Sequence, residues 1–299
     1  MEQLTEKPEK SWYDKSYKYL FFIPVTLTIL ALVFLINFNS QHGDVIFKDV
    51  TLTGGTTITV LDPEVSIEEL FSSIQINFPD IKIRELSDFR TGQQKGFILE
   101  TQSEVEDIRP ALESVLGYEL NKDNSSVEFS GAALSQGFYK QIRFAIIIAF
   151  IFMAIVIFLI FRTFVPSLAV IFAAFSDIVL TVAVIGLLKI PLSIAGVVAF
   201  LLLIGYSVDT DILLTTRTIK KKEGTINERI YGAFKTGLTM TLTSIAAIFI
   251  ALIIIRNTSE VLRQMFTILL IGLGFDLFNT WLANAAILKW YAERKEASR

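Results

Sequence analysis

The sequence predicts a membrane protein: an all-α bundle of six transmembrane helices, with an extracytoplasmic α+β ferredoxin-like domain between helices 1 and 2. Of the 299 residues, 52% are hydrophobic, and the mean hydropathy is +0.54. Several apolar stretches exceed the roughly 18 residues that a helix needs to cross a bilayer. The long polar segment between the first two stretches alternates the period of strands with that of helices, which indicates a folded domain.

The apolar stretches define the predicted helices of the membrane bundle. We predict transmembrane helices at residues 19–38, 142–161, 166–188, 191–214, 237–255 and 264–288. The first stretch, about 20 residues, is longer than the apolar core of a typical signal peptide. It also ends in Asn37-Phe38-Asn39-Ser40, a poor cleavage site. The first helix is therefore expected to be an anchor, and the last five to form a bundle over residues 142–290.

Basic residues predict the orientation of the bundle. They are concentrated in the tail 1–18, at Arg162, in the loop 217–235 and in the tail 291–299. A six-helix topology places all four segments on one side, and lysine and arginine accumulate on the cytoplasmic side of membranes. We therefore expect a multi-pass protein of the cell (cytoplasmic) membrane with both termini in the cytoplasm. Residues 39–141 then form the extracytoplasmic domain.

The pattern of this outer segment predicts strands at 56–61, 81–86, 96–101 and 125–130, with helices at 66–77 and 103–116. Ser66 followed by Glu69, and Ser103 followed by Glu106, are capping-box patterns at the two helix starts. The order strand–helix–strand–strand–helix–strand is that of the ferredoxin-like arrangement. Many functions occur on this fold, so the domain alone does not name one.

Composition excludes several classes of function. The chain has no cysteine and one histidine, His42, which lies outside the apolar stretches. Disulfides, thiol chemistry and Cys-based metal sites are therefore excluded, and no zinc spacing or phosphate-binding loop is present. The net charge of −3 gives no basic field for nucleic acid. We predict neither an enzyme nor a bound cofactor or metal.

Four aspartates lie within the predicted helices: Asp177, Asp209, Asp211 and Asp276. Insertion of an aspartate at the centre of a bilayer costs about 2.5–3.5 kcal/mol, so aspartates in membrane helices are usually functional. Asp209 and Asp211 are about 200° apart on a helix, which predicts that only one of them faces the bundle interior. Lys235, at the mouth of the fifth helix, is the nearest cation that could reach inward.

Proton binding is one explanation for these aspartates. Burial disfavours the ionised form of a carboxyl group, which brings proton exchange into the neutral range. No histidine, glutamate or lysine lies inside the predicted helices, so these aspartates are the only plausible proton carriers there. Hydroxyl groups along the fifth helix, and Asn279 and Asn284 on the sixth, could bond the carboxyl groups. Polar contacts that only hold helices together explain the same residues equally well.

Three short motifs carry a family resemblance when combined with this topology. They are Gly54-Gly55 after the first helix, Ser176-Asp177 in the third and Gly205-Tyr206-Ser207 in the fourth. The chain resembles the SecF branch, of archaeal type, in the SecD/SecF family of protein-export membrane proteins, within the resistance-nodulation-division superfamily. The family's Asn-Asp-Thr triplet is here Asp209-Thr210-Asp211. Val208-Asp209 is similar to the SecD half, which makes Asp209 the better proton-carrier candidate.

The resemblance implies an accessory subunit of the Sec protein translocase that uses the proton motive force to assist polypeptide export. The implied partners are a SecD-like subunit, a SecYE-type protein-conducting channel, the translocating polypeptide and membrane lipid. Asp209 is then the main proton carrier, Asp211 a helper and Lys235 a nearby charge that tunes both. Two alternatives stay open: a proton-coupled exporter of small molecules or lipids from the same superfamily, and a non-transporting subunit with structural aspartates.

Overall fold

The computed structural model describes residues 12–87, 91–220, 223–255 and 260–298. The elements follow in the order α1 (Trp12–His42), α2 (Val50–Thr53), β1 (Gly55–Val60), α3 (Ile67–Ile74), β2 (Lys82–Ser87), β3 (Gln94–Thr101), α4 (Val105–Leu116), β4 (Ser125–Ser130), α5 (Ala132–Phe161), α6 (Phe164–Leu187), α7 (Ile194–Ile219), α8 (Ile226–Ile255), α9 (Glu260–Asn279), a π-helical turn (Thr280–Asn284) and α10 (Ala285–Ala297). Parts of the predicted basic segments, residues 1–11, 221–222 and 299, lie outside the described residues.

The prediction of six long apolar helices is confirmed within the described residues. Hydropathy marks only the apolar part of each helix, and several helices extend beyond it. Helix α8 begins at Ile226 rather than near residue 237, because Ile230 and Ala233 pack in one buried cluster with Leu288 of α10. The last helix continues through the π-helical turn as far as Ala297.

The segment between α1 and α5 contains a four-stranded antiparallel sheet in the described part of the chain, with the strand order β2-β3-β1-β4. The predicted sequence of strands and helices is observed. The alternating apolar residues of β1 and β3 are fully buried with those of α3 and α4 in one core. Its largest members are Ile58, Phe97, Leu99, Ile108 and Leu112.

The two predicted helix caps have different outcomes. The Ser66 hydroxyl accepts from the Glu69 amide at 3.5 Å, which confirms the first cap. The second is wrong: α4 is preceded by Glu104, which makes no capping hydrogen bond. Ser103 instead closes a turn with Thr101, whose hydroxyl accepts from the Ser103 amide at 3.2 Å.

A buried ion pair joins the central strand β3 of the outer sheet to the edge strand β2. Glu100 of β3 is only 7% exposed, and Arg84 of β2 donates to it at 2.5 Å. Burial and the negative charge of Asp49 raise the pKa of Glu100, and Arg84 offsets part of that effect. The pair therefore joins β2 to β3 on the sheet face opposite the helices.

A short stem joins the outer domain to the membrane bundle, and sequence analysis missed it. The stem runs from residue 44 to residue 53. Leu192, in the connection between α6 and α7, donates from its amide to the Phe47 carbonyl at 2.7 Å and accepts from the Asp49 amide at 3.0 Å. Leu52 and Leu192 are buried in one cluster with Phe200 of α7. The root of the outer domain is therefore fixed to the start of α7.

Gly54 and Gly55 connect the stem to β1. Their φ angles are +89° and +143°, in the region that favours glycine. A Cβ atom at Gly55 would lie 2.2 Å from the Thr101 carbonyl oxygen of β3. Only glycine therefore permits β1 to leave the stem so close to its neighbouring strand.

We predict that Gly55→Ala destabilises the outer domain by at least about 2 kcal/mol, because it adds a backbone clash to the strain of a positive φ. Gly43→Ala is the matched control. Gly43 also has a positive φ, +74°, but open space around it, so strain alone costs about 1–2 kcal/mol. Hydrogen exchange of the β1 and β3 amides in the full chain measures both. Equal effects of the two variants would contradict the steric role of Gly55.

Candidate functional site

Three of the four predicted intramembrane aspartates meet inside the bundle. Asp177 of α6, Asp211 of α7 and Asp276 of α9 each have 0% exposure. In the described residues, no ion pair joins their carboxyl groups to a lysine or arginine. Hydroxyl and amide groups surround them instead. We refer to these three residues as the aspartate cluster.

Asp177 is held by neighbours on two other helices. The Ser207 hydroxyl of α7 donates to Oδ2 at 2.6 Å, and the Asn279 side-chain amide of α9 donates to Oδ1 at 2.6 Å. Both oxygens of this carboxyl group are therefore bonded. The adjacent Ser176 hydroxyl lies 2.5 Å from that of Thr28 on α1. The cluster is thus connected to the first helix as well.

A single hydroxyl group links Asp211 with Asp276. Thr280 Oγ1 lies 2.9 Å from Asp211 Oδ1 and 3.3 Å from Asp276 Oδ1. A hydroxyl group has one proton to donate, so Thr280 can donate a hydrogen bond to only one of the two carboxyl groups at a time. Asn284 adds a second donor to Asp211 Oδ1 at 2.6 Å. The Oδ2 atoms of both aspartates are buried without a partner among the described residues.

The local backbone geometry of the last helix places the Thr280 and Asn284 donors beside Asp211. Thr280 and Asn284 are the two ends of the π-helical turn, a rare feature that occurs frequently at functional sites. Helix α9 also approaches α7 closely, because a Cβ atom at Gly272 would lie 2.4 Å from the Leu203 side chain. The turn and the glycine together direct the polar face of the last helix at Asp211.

Asp209 lies outside the aspartate cluster. It is exposed on the outward face of α7, with Gly205 and Tyr206, whereas Ser207 and Asp211 face inward. The prediction that Asp209 and Asp211 face different sides is confirmed. The family resemblance favours Asp209 as the main proton carrier, but the structure brings Asp211 to Asp177 and Asp276. Because residues two apart on a helix are separated by about 200°, Asp209 then faces away from the cluster.

The other candidates occupy different places. Lys235 is exposed on α8, and within the described ranges it forms no ion pair with an aspartate. Of the hydroxyl groups on α8, those of Thr239 and Thr243 are exposed and donate to carbonyls of their own helix. Thr241 points to Thr210 of α7 at 3.5 Å. The hydroxyl groups expected from α8 therefore do not bond the cluster.

Sequence analysis missed Thr280, although a signal for it exists. Asp276, Thr280 and Asn284 recur every four residues, a spacing that places them on one helix face. The part of the chain that the structure describes contains no group of His, Cys, Asp and Glu side chains arranged to hold a metal ion. Each carboxyl group of the cluster can accept hydrogen bonds when ionised, and can donate one when protonated.

The sequence is similar to that of known protein-export membrane proteins. The family model described as "Protein export membrane protein SecD/SecF, C-terminal" matches residues 111–294. Curated relatives named protein-export membrane protein SecF include one from Methanothermobacter thermautotrophicus, 41% identical over 93% of this chain and 94% of the relative. One from Methanocaldococcus jannaschii is 38% identical over 95% and 99%.

The fold also resembles a solved structure, the crystal structure of SecDF, a translocon-associated membrane protein, from Thermus. The TM-score is 0.71 at 18% sequence identity, with 97% of this chain and 40% of that chain covered. SecDF in its super-membrane-facing form gives a TM-score of 0.64, also at 18% identity, over 98% and 40%. The chain therefore spans well under half the length of these SecDF chains, and the likeness concerns the fold.

We predict that Thr280→Val destabilises the membrane bundle by about 1–3 kcal/mol, because it removes a shared donor from two buried carboxyl groups. Thr243→Val is the matched control. Its hydroxyl is exposed and bonds only its own helix, so the change should stay within about 0.5 kcal/mol. Reversible unfolding of the full chain in mixed micelles measures both free energies of unfolding. A Thr280→Val variant as stable as the control would contradict the shared hydrogen bond.

Proposed function

The chain belongs to the SecD/SecF family of protein-export membrane proteins, and on that basis we propose that it is an accessory subunit of the Sec protein translocase. It pairs with a SecD-like subunit beside a SecYE-type protein-conducting channel. There it uses the proton motive force to assist the export of polypeptides across the cytoplasmic membrane. The observation that carries the coupling part of this proposal is the aspartate cluster.

The cluster has the properties of a proton-binding site. Three ionised carboxyl groups buried together would be strongly unfavourable, so we expect at least one of them to bind a proton. The Oδ2 atoms of Asp211 and Asp276 have no hydrogen-bond partner among the described residues, so either atom could carry that proton. When Asp211 or Asp276 binds a proton, the Thr280 hydroxyl can donate its hydrogen bond to the carboxylate that is still ionised. We propose Asp211 and Asp276 as the carriers, with Asp177 as the third member.

Proton binding drives motion only if two conformations of the protein differ in proton affinity. The cluster joins α6, α7 and α9, so a change in its protonation alters the hydrogen bonds between all three helices. The stem supplies the mechanical link, because Leu192, two residues before α7, is hydrogen-bonded to Phe47 and Asp49. Movement of α7 is thereby transmitted to β1 of the outer domain.

The proposed topology follows the distribution of basic residues. The tails 1–18 and 291–299 are cytoplasmic, helix 19–38 is an anchor, and residues 142–290 form the five-helix bundle. Residues 39–141 form a ferredoxin-like domain outside the cell membrane. This domain contacts the polypeptide as it emerges from the channel. The sheet order β2-β3-β1-β4 supports this assignment of the domain.

The outward face of α7 is the proposed contact with the SecD-like subunit. Gly205, Tyr206 and Asp209 are exposed there, and a carboxylate facing hydrocarbon is costly. A partner helix with a polar group would cover Asp209, and Gly205 would permit its close approach. Lys235, exposed on the neighbouring α8, adds a charge to the same interface.

We predict that Asp211→Asn removes the part of polypeptide export that depends on the proton gradient, because asparagine binds no proton at this site. The assay is export into inverted membrane vesicles with and without an uncoupler. Asp209→Asn is the matched control on the other face of α7. Asparagine keeps a polar group for the proposed partner contact, so this variant should keep the gradient-dependent part. Gradient-dependent export at the wild-type rate in Asp211→Asn would exclude this residue as a carrier.

We predict that Gly205→Leu abolishes co-purification of a SecD-like chain from native membranes in mild detergent, because its side chain fills the space for the partner helix. Gly274→Leu is the control, since Gly274 is also exposed on a membrane helix with open space around it. It should leave the partner bound. Recovery of lipid-handling or adaptor proteins in place of a SecD-like chain would favour the small-molecule or lipid exporter.

A further inference from the structure

A groove of about 440 Å³ lies between the first turns of α1 and the helix α10. Its walls are the side chains of Phe21 and Phe22 on α1, and of Ala286 and Ile287 on α10. Phe22 is 60% exposed, and Trp290 at the rim is 36% exposed, so the groove opens on the outside of the bundle. Its volume is in the range of about 300–1,000 Å³ that is typical of ligand sites.

Two cations lie at the mouth of this groove. Lys18 forms part of its lining, and the Arg294 guanidinium group lies 4.5 Å from the centre of the Trp290 ring. Neither side chain is in an ion pair with any residue that the structure describes. Their charge is available to an anion outside the protein.

The carboxylates close to this mouth are already engaged. Asp14 accepts hydrogen bonds from Lys289, which is 1% exposed, and from Asn227 at 3.0 Å. Glu293 accepts from the Tyr17 hydroxyl group at 2.8 Å. Partners within the protein thus bind both carboxylates, whereas the two cations at the mouth have no ion-pair partner in the described part of the chain. This arrangement is complementary to a negatively charged group beside an apolar chain.

We infer that the groove binds an anionic membrane lipid. One hydrocarbon chain occupies the apolar walls, and the phosphate group lies between Lys18 and Arg294. Tyr17 and Trp290 mark the level of the headgroups, where such side chains are enriched, and basic pockets between membrane helices bind acidic headgroups. The bound lipid bridges α1 and α10. The inference is independent of the proposed role in protein export.

Quenching of Trp290 fluorescence by lipid tests this inference on the full chain in detergent. The probes are phosphatidylglycerol and phosphatidylcholine with the same brominated chains. The Trp290 signal is the difference between the wild type and Trp290→Phe, which removes the contributions of Trp12 and Trp281. We expect half-maximal quenching at about tenfold less phosphatidylglycerol than phosphatidylcholine, since each nearby cation favours an acidic headgroup.

The double variant Lys18→Gln/Arg294→Gln should lose this headgroup preference. Lys220→Gln is the control, because Lys220 also lies over an aromatic ring, that of Phe161 at 5.7 Å, but outside the groove. It should keep the full preference. Circular dichroism verifies that each variant is folded. Equal quenching by the two lipids in the wild type, or a preference unchanged in the double variant, would overturn the inference.

Discussion

The burial of three carboxyl groups in an apolar bundle is the constraint on which the rest of this structure depends. Each group must find donors within the protein, because hydrocarbon supplies none. The donors come from Ser207, Asn279, Thr280 and Asn284. The π-helical turn and the close approach of α9 to α7 follow from the need to bring them together. Within this network, the Thr280 hydroxyl connects Asp211 with Asp276.

The same helix that carries Asp211 also carries the link to the outer domain. Leu192, two residues before this helix begins, is hydrogen-bonded to Phe47 and Asp49 of the stem, and the stem passes through Gly54 and Gly55 into β1. A change of hydrogen bonding in the cluster therefore acts on an element that is bonded at its other end to the root of the sheet. We therefore propose that proton exchange and domain motion are coupled through α7.

The sequence predicted the elements well, because their signals are local. Hydropathy located the membrane helices, and the alternation of apolar residues located the strands. The sequence could not show that Asp211, rather than Asp209, joins Asp177 and Asp276, because that depends on how α7 is rotated against α9. The stem was missed for the same reason: its partner, Leu192, lies in a distant connection between two helices. Contacts of this kind follow from tertiary packing and leave no local pattern.

We propose above all that the aspartate cluster takes up and releases a proton. Infrared difference spectroscopy of the reconstituted chain across a pH step measures this directly, through the C=O band of a protonated carboxyl group. The account predicts a band that disappears in Asp211→Asn and persists in Asp209→Asn. A band that persists in Asp211→Asn and disappears in Asp209→Asn, or no carboxyl band in the wild type, would contradict it.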